Sequence, residues 1–163
     1  MIMNHANSAA GVHEYVSAHL HDVFETMLSL KAELRAAGEM EPFQGEHVCG
    51  TVGLAGDKVN GAVYLHISSP FARQAAAAML GMAPEELTAV RDINDVVAEM
   101  TNMLGGGLKS WLCDTGALCV LTTPSVVRGR AFAIRAQPGV ELIKLGFQCS
   151  DNCGLVEVHL RYR

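Results

Sequence analysis

The chain has 163 residues, half of them apolar and 18% charged, with a formal net charge of −5 and five cysteines. That length suits one domain whose core needs no disulfide or metal staples, and the composition is far from that of a disordered chain. Scattered Lys and Arg on an acidic chain exclude the basic footprint of a nucleic-acid or anionic-membrane binder, no apolar run is long enough to span a bilayer, and the start MIMNHANSAAG lacks the segments of a secretion signal, so a cytoplasmic location is expected.

Residues 1–11 are expected to be a flexible start and 12–163 a single domain. Over 12–37 the apolar residues Val12, Tyr15, Val16, Leu20, Val23, Phe24, Met27, Leu28, Leu30 and Leu34 recur at spacings near three and four, which predicts one amphipathic helix closed by Gly38. His13, His19 and His21 fall on it. His19 and His21 are two residues apart and point to different faces, so these histidines read as surface or boundary residues and not as a shared metal site. The period then changes to two: Val48, Val52 and Leu54 alternate with Cys49, Thr51 and Gly53, and after a Gly56-Asp57 turn a second run ends near Ile67. This is a β-hairpin signal. SSPFARQAAAAMLG reads as a helix with Ser68 or Ser69 as N-cap, Pro70 at its first position and Gly81 at its end, and APEEL as one further turn.

A long helix is predicted around DINDVVAEMTNMLGGGLKSWL, residues 92–112. Four strand-like runs follow, ALCVLTTPSVVRG, RAFAIRAQ, GVELIKLGFQCS and LVEVHLRYR, separated by Pro, Gly and Asp-Asn. In the last, Val156, Val158, Leu160 and Tyr162 alternate with Glu157, His159 and Arg161, which predicts one wet face and hence an antiparallel sheet. The order of elements predicts an α+β fold with helices packed on one face of a mostly antiparallel sheet. The cysteines Cys49, Cys113, Cys119, Cys149 and Cys153 lack the spacing of a disulfide framework and read as reduced thiols. Cys149 and Cys153 flank a Ser-Asp-Asn turn and raise a metal or thiol-sensor reading, but one C-x3-C without a second pair is weak evidence.

On a wheel of about 100° per residue, Ile93, Val97, Met100, Leu104, Leu108 and Trp111 of the long helix share a sector about 80° wide that faces the core. Asp95, Glu99, Asn102, Gly106 and Lys109 share a second sector nearly opposite, which is wet or meets a partner. Each glycine inside a helix costs about 0.5–1 kcal/mol relative to Ala. The run Gly105-Gly106-Gly107 therefore marks either a helix end or a place where another surface comes close, and the unbroken phase of Leu108 and Trp111 predicts that the helix continues. GGGLKS is not a phosphate-binding loop, because a helix precedes it and Leu interrupts the motif.

An Asn carboxamide both donates and accepts, so it can hold one water in a fixed direction. Phosphoryl transfer is accelerated mainly by such positioning and by neutralising charge. Glu99, three residues before Asn102 and beside it on the helix, can supply a charge-assisted bond to a partner cation. The sequence shows no Mg2+ site, nucleotide loop or nucleophile motif, so metal and electrophile would come with a protein substrate.

Asp95, Glu99, Asn102 and Gly106 match the D-x3-E-x2-N-x3-G helix signature of the CheC/CheX/FliY chemotaxis phosphatases, and the order of helix, hairpin, helices and strands resembles the CheX branch across most of the chain. The resemblance implies a CheC-like fold and hydrolysis of the aspartyl phosphate on a CheY-type receiver domain. Asn102 would orient the attacking water, Glu99 would pair with a receiver Lys, and Mg2+ would already be bound by the receiver, the chain having no cofactor of its own. Asp95 would assist docking or helix placement, Gly106 would permit close approach, and Lys109 would belong to the same docking face. CheC and FliY members carry two such helices, whereas only Glu99 here has an Asn three residues later, which fits CheX. Homodimerisation through sheet edges is implied by the same kinship. The alternative is a CheX-like binding or dimerisation module without chemistry.

Overall fold

The computed structural model describes residues 8–40 and 45–163. In chain order the elements are α1 (Ala9–Leu28), β1 (Glu33–Arg35), α2 (Ala37–Met40), β2 (Glu46–Ala55), β3 (Val59–Ser68), α3 (Ser69–Leu80), a 3-10 turn (Pro84–Glu86), α4 (Val90–Asp114), β4 (Val120–Leu121), β5 (Ser125–Arg130), β6 (Glu141–Cys149) and β7 (Asn152–Tyr162). The strands form one sheet in the order β1-β6-β7-β3-β2, with β4 and β5 both laid along the free side of β2, and every pairing is antiparallel. The α+β arrangement read from the element order is the one observed, with α1, α3 and α4 on one face of the sheet.

Period-two burial explains the choice of face. Val48 and Val52 of β2, Val63 and Leu65 of β3, Leu145 and Phe147 of β6, and Val156 and Val158 of β7 are all buried under the helices. Phe24 of α1, Phe71 of α3 and Phe147 of β6 meet at ring-centroid distances of 5.0–6.4 Å, joining two helices to the sheet. Ser68 caps α3 by accepting from the Phe71 N–H, and Gly81 ends it in the left-handed conformation at φ 67°, as the sequence signals predicted.

The first helix differs from its expected span at both ends. Ser8 caps it, so residues 9–11 of the expected flexible start are helical, while residues 1–7 lie outside the described residues. It ends at Leu28, well short of residue 37, because Ser29 turns left-handed at φ 53° and its N–H returns to Glu25 O. Leu30 and Leu34 keep helical spacing by coincidence: Leu30 packs on the core from a loop, and Leu34 lies on β1 opposite Phe147.

Residues 131–138 form no strand. Phe132, Ile134 and Ala136 are partly buried and Ala133, Arg135 and Gln137 exposed, so the alternation in RAFAIRAQ is real. It is satisfied by laying the chain over the sheet face away from the helices, not by edge pairing. Phe132 stacks on His47 at 4.0 Å and 17°, and Arg161 donates to Pro138 O at 2.8 Å. This crossing from β5 to β6 explains a further correction, since the expected wet face of β7 is covered at Glu157 and His159 while Arg161 stays exposed. Glu157 and His159 are buried there beside Lys144 and His66.

Candidate functional site

α4 is a 25-residue helix that runs unbroken through Gly105-Gly106-Gly107. Its apolar stripe carries it: Ile93, Val97, Met100, Leu104 and Leu108 are buried and Trp111 is partly buried. Asp92 in the first turn complements the helix dipole. At the other end, Thr115 donates from its hydroxyl to Trp111 O and Leu112 O at 3.1 and 2.9 Å.

The outward stripe carries the five residues singled out by the wheel. Asp95 and Glu99 are exposed, and Asn102, Gly106 and Lys109 are partly exposed. At 1.5 Å rise per residue they span about 20 Å of helix. Asp95 lies 3.8 Å from Arg91, one turn earlier; both side chains stand in solvent, so this pair contributes little. The side chains of Glu99 and Asn102 make no hydrogen bond or ion pair with any described residue. Both are therefore available to an external group. Thr101, next to Asn102, has the opposite character, being buried with its hydroxyl donating to Val97 O at 2.7 Å.

The glycine run resolves into three different positions. A Cβ at Gly105 would collide with Val52 of β2, and one at Gly107 with the His19 ring of α1. These two glycines let the helix press against its own sheet and its neighbouring helix, so most of the close approach that the run implied is internal. Only Gly106 opens outward, its nearest neighbour being Leu121 Cδ1 at 3.9 Å from an added Cβ.

Two groups of residues at the site were not legible in the sequence. Tyr15 and His19 of α1 reach main-chain carbonyls of α4, at Gly107 O and Met103 O, each at 3.0 Å. Asn94 accepts from Arg128 Nε of β5 at 2.9 Å, fixing the first turns of α4 against the sheet edge. Contacts between elements so distant in sequence leave no periodic signal. A third set, His66, His159, Lys144 and Cys49 around Glu157, lies on the far side of the sheet from α4. Cys49 and Glu157 both approach the same His66 nitrogen, Nε2, at 3.8 and 3.7 Å, which is not the two-nitrogen relay of a nucleophilic triad. Burial, with Glu157 adding to it, pushes the Cys49 thiol up to about 12.

Cys149 and Cys153 do not form a sensor pair. In the β6–β7 register Cys149 faces Asn152 and Cys153 faces Gln148, which puts the two sulfurs on opposite faces of the sheet. Burial, and then Glu33, pushes the Cys149 thiol up to about 11. Among the described residues no group of three His, Cys, Asp or Glu side chains is placed to hold a metal ion, and no helix is long and apolar enough to cross a membrane.

Comparison with curated proteins gives no match. Among solved structures, the chain is similar to the chemotaxis protein CheX of Vibrio vulnificus, with 26% identity, a TM-score of 0.80, and 95% of this chain and 99% of that one covered. It is also similar to a CheC-like superfamily protein from Shewanella sp. PV-4, at 25% identity and TM-score 0.74 over 92% and 97% of the two chains. The CheX of a CheX-CheY-BeF3-Mg2+ complex from Borrelia burgdorferi shares the fold, at 19% identity and TM-score 0.67 over 91% and 96%. A family profile described as chemotaxis phosphatase CheX matches residues 48–148, which include the whole of α4, and the chain belongs to that family.

Proposed function

We propose that the chain hydrolyses the aspartyl phosphate of a CheY-type receiver domain, with Asn102 orienting the attacking water and Glu99 pairing with a receiver lysine. The observation that carries this reading is the state of those two side chains: adjacent on the outer face of a firmly seated helix, and bonded to no described residue of their own chain. A water-directing carboxamide and an anionic anchor suffice when the partner brings both the phosphoryl group and the metal. The Borrelia complex contains Mg2+ together with CheX and CheY, which supports a Mg2+ held by the receiver here. Asp95, Gly106 and Lys109 extend the docking face on either side of the pair. Self-association through the edges formed by β1 or by β4 and β5 is proposed from family kinship.

The test is phosphate release from an acetyl-phosphate-charged receiver of the same organism. Asn102→Ala should slow it by about two orders of magnitude, the scale expected when reactive geometry is lost. Unchanged release would reject the reading. Capture of the phosphorylated receiver without any phosphate loss by the native protein would favour a binding module instead.

A further inference from the structure

Three close contacts of α4 with the rest of the fold flank Asn102. Thr101 fills the space over Gly50 of β2, Gly105 is pressed against Val52, and Gly107 against the His19 ring; a Cβ at any of the three glycines would overlap the named neighbour. All three contacts fall between residues 101 and 107, in the half of the helix that carries Asn102. Val97, on the stretch that carries Asp95 and Glu99, approaches the same Gly50 position, an added Cβ there lying 3.2 Å from its Cγ1.

Two side chains of α1 complete this seat. His19 Nε2 lies 3.0 Å from Met103 O, the carbonyl one residue beyond Asn102, and Tyr15 Oη lies 3.0 Å from Gly107 O, one turn later. A carbonyl only accepts, so both side chains donate, which assigns the ring proton to Nε2. Tyr15 also lies between two near-parallel rings, His19 at 5.7 Å and Trp111 at 5.3 Å, each inclined by 19°. Burial, with Asp114 and Asp22 adding to it, raises the Tyr15 hydroxyl above its ordinary range, so it remains a donor throughout neutral pH.

Helix carbonyls already accept from the N–H four residues on, and their second lone pairs need no partner when solvent can reach them. The two bonds from α1 are therefore surplus to backbone satisfaction. What they fix is the rotation and axial position of α4. A side-chain tip stands roughly 5–6 Å from a helix axis, so a rotation of about 10° moves it by about 1 Å. A displacement of that size is enough to cost a positioned reaction on the order of 100-fold.

We propose that His19, assisted by Tyr15, is a positioning residue for Asn102: by gripping the Met103 and Gly107 carbonyls it holds the carboxamide at the angle from which water is delivered. This rests on the phosphatase reading, and its test separates the two. Single-turnover hydrolysis of an acetyl-phosphate-charged CheY-type receiver is followed at increasing concentrations of four proteins: native, His19→Ala, His19→Gln and Tyr15→Phe. Tyr15→Phe keeps the ring stack and removes only the donor, so it serves where His19→Ala is poorly folded.

His19→Ala should lower the maximal rate about tenfold and Tyr15→Phe severalfold, with half-saturation unchanged, and His19→Gln should recover part of the loss through its amide N–H. In an Asn102→Ala background neither change should slow the residual rate further, because a residue that acts through the carboxamide has nothing left to position. Native rates in folded His19→Ala and Tyr15→Phe, or losses that multiply with that of Asn102→Ala, would overturn the proposal and leave the phosphatase reading standing. An unchanged rate in Asn102→Ala alone would remove both.

Discussion

Glu157 and His159, two residues apart on β7, share a 2.9 Å contact between Oε2 and Nε2 on the sheet face away from the helices, where both are buried. Lys144 Nζ and His66 Nε2 each lie 3.7 Å from the other carboxylate oxygen, so one anion organises three nitrogen groups. Removing one member of a buried ionic group leaves the rest uncompensated, which costs about 3–5 kcal/mol. Glu157→Ala should lose that much in denaturant unfolding, and a loss below about 1 kcal/mol would show that water reaches the cluster.

His47 sits on the same face beneath Phe132, and burial holds its imidazole below the ordinary value of 6.5. The folded chain binds this proton less readily than the unfolded chain. As pH falls below about 6.5 the unfolded state takes up the extra proton, so stability falls toward acid and is fully regained above that value. His47→Phe keeps an aromatic surface against Phe132 and should flatten the dependence between pH 7.5 and 5.5. An unaltered slope in urea titrations would assign the whole effect to other groups.

Gly105 and Gly106 are adjacent but should respond oppositely to Ala. Gly105→Ala forces a methyl into the stiff Val52 side chain and should destabilise the protein by about 1–3 kcal/mol. Gly106→Ala meets only Leu121 at van der Waals distance and should stabilise the helix by about 0.5–1 kcal/mol. If the outer face docks a receiver, that more stable variant should nonetheless bind it more weakly. Thermal unfolding and receiver titration of the same two proteins check both statements.

Thiol labelling should divide the cysteines by environment. Cys49 and Cys149 are buried and their thiols are pushed up to about 12 and about 11, whereas Cys113 and Cys153 are partly exposed. Only the thiolate reacts. Aromatic disulfide reagents at pH 8 should therefore modify Cys113 and Cys153 in the native protein, and reach Cys49 and Cys149 only on unfolding. Fast native labelling at Cys49 would contradict its burial between the sheet and the segment that crosses it.

Local pattern determined a large share of this protein. The hairpin of β2 and β3, the caps of α3 and the continuation of α4 past its glycines follow from periodicity and end signals, which act within a few residues. The outward stripe from Asp95 to Lys109 was equally legible, because a helix converts spacing directly into direction. Only the tertiary structure decided what lies against each surface. Leu34 keeps helical phase yet belongs to an edge strand, the alternation of residues 131–138 is met by covering the sheet and not by joining it, and Glu157 and His159 are buried on the face that this segment crosses. Gly105 and Gly107 serve β2 and α1, partners distant in the chain that no periodicity encodes. Spacing tells which way a side chain points; whether water, a neighbouring element or another protein waits there depends on contacts made across the whole chain.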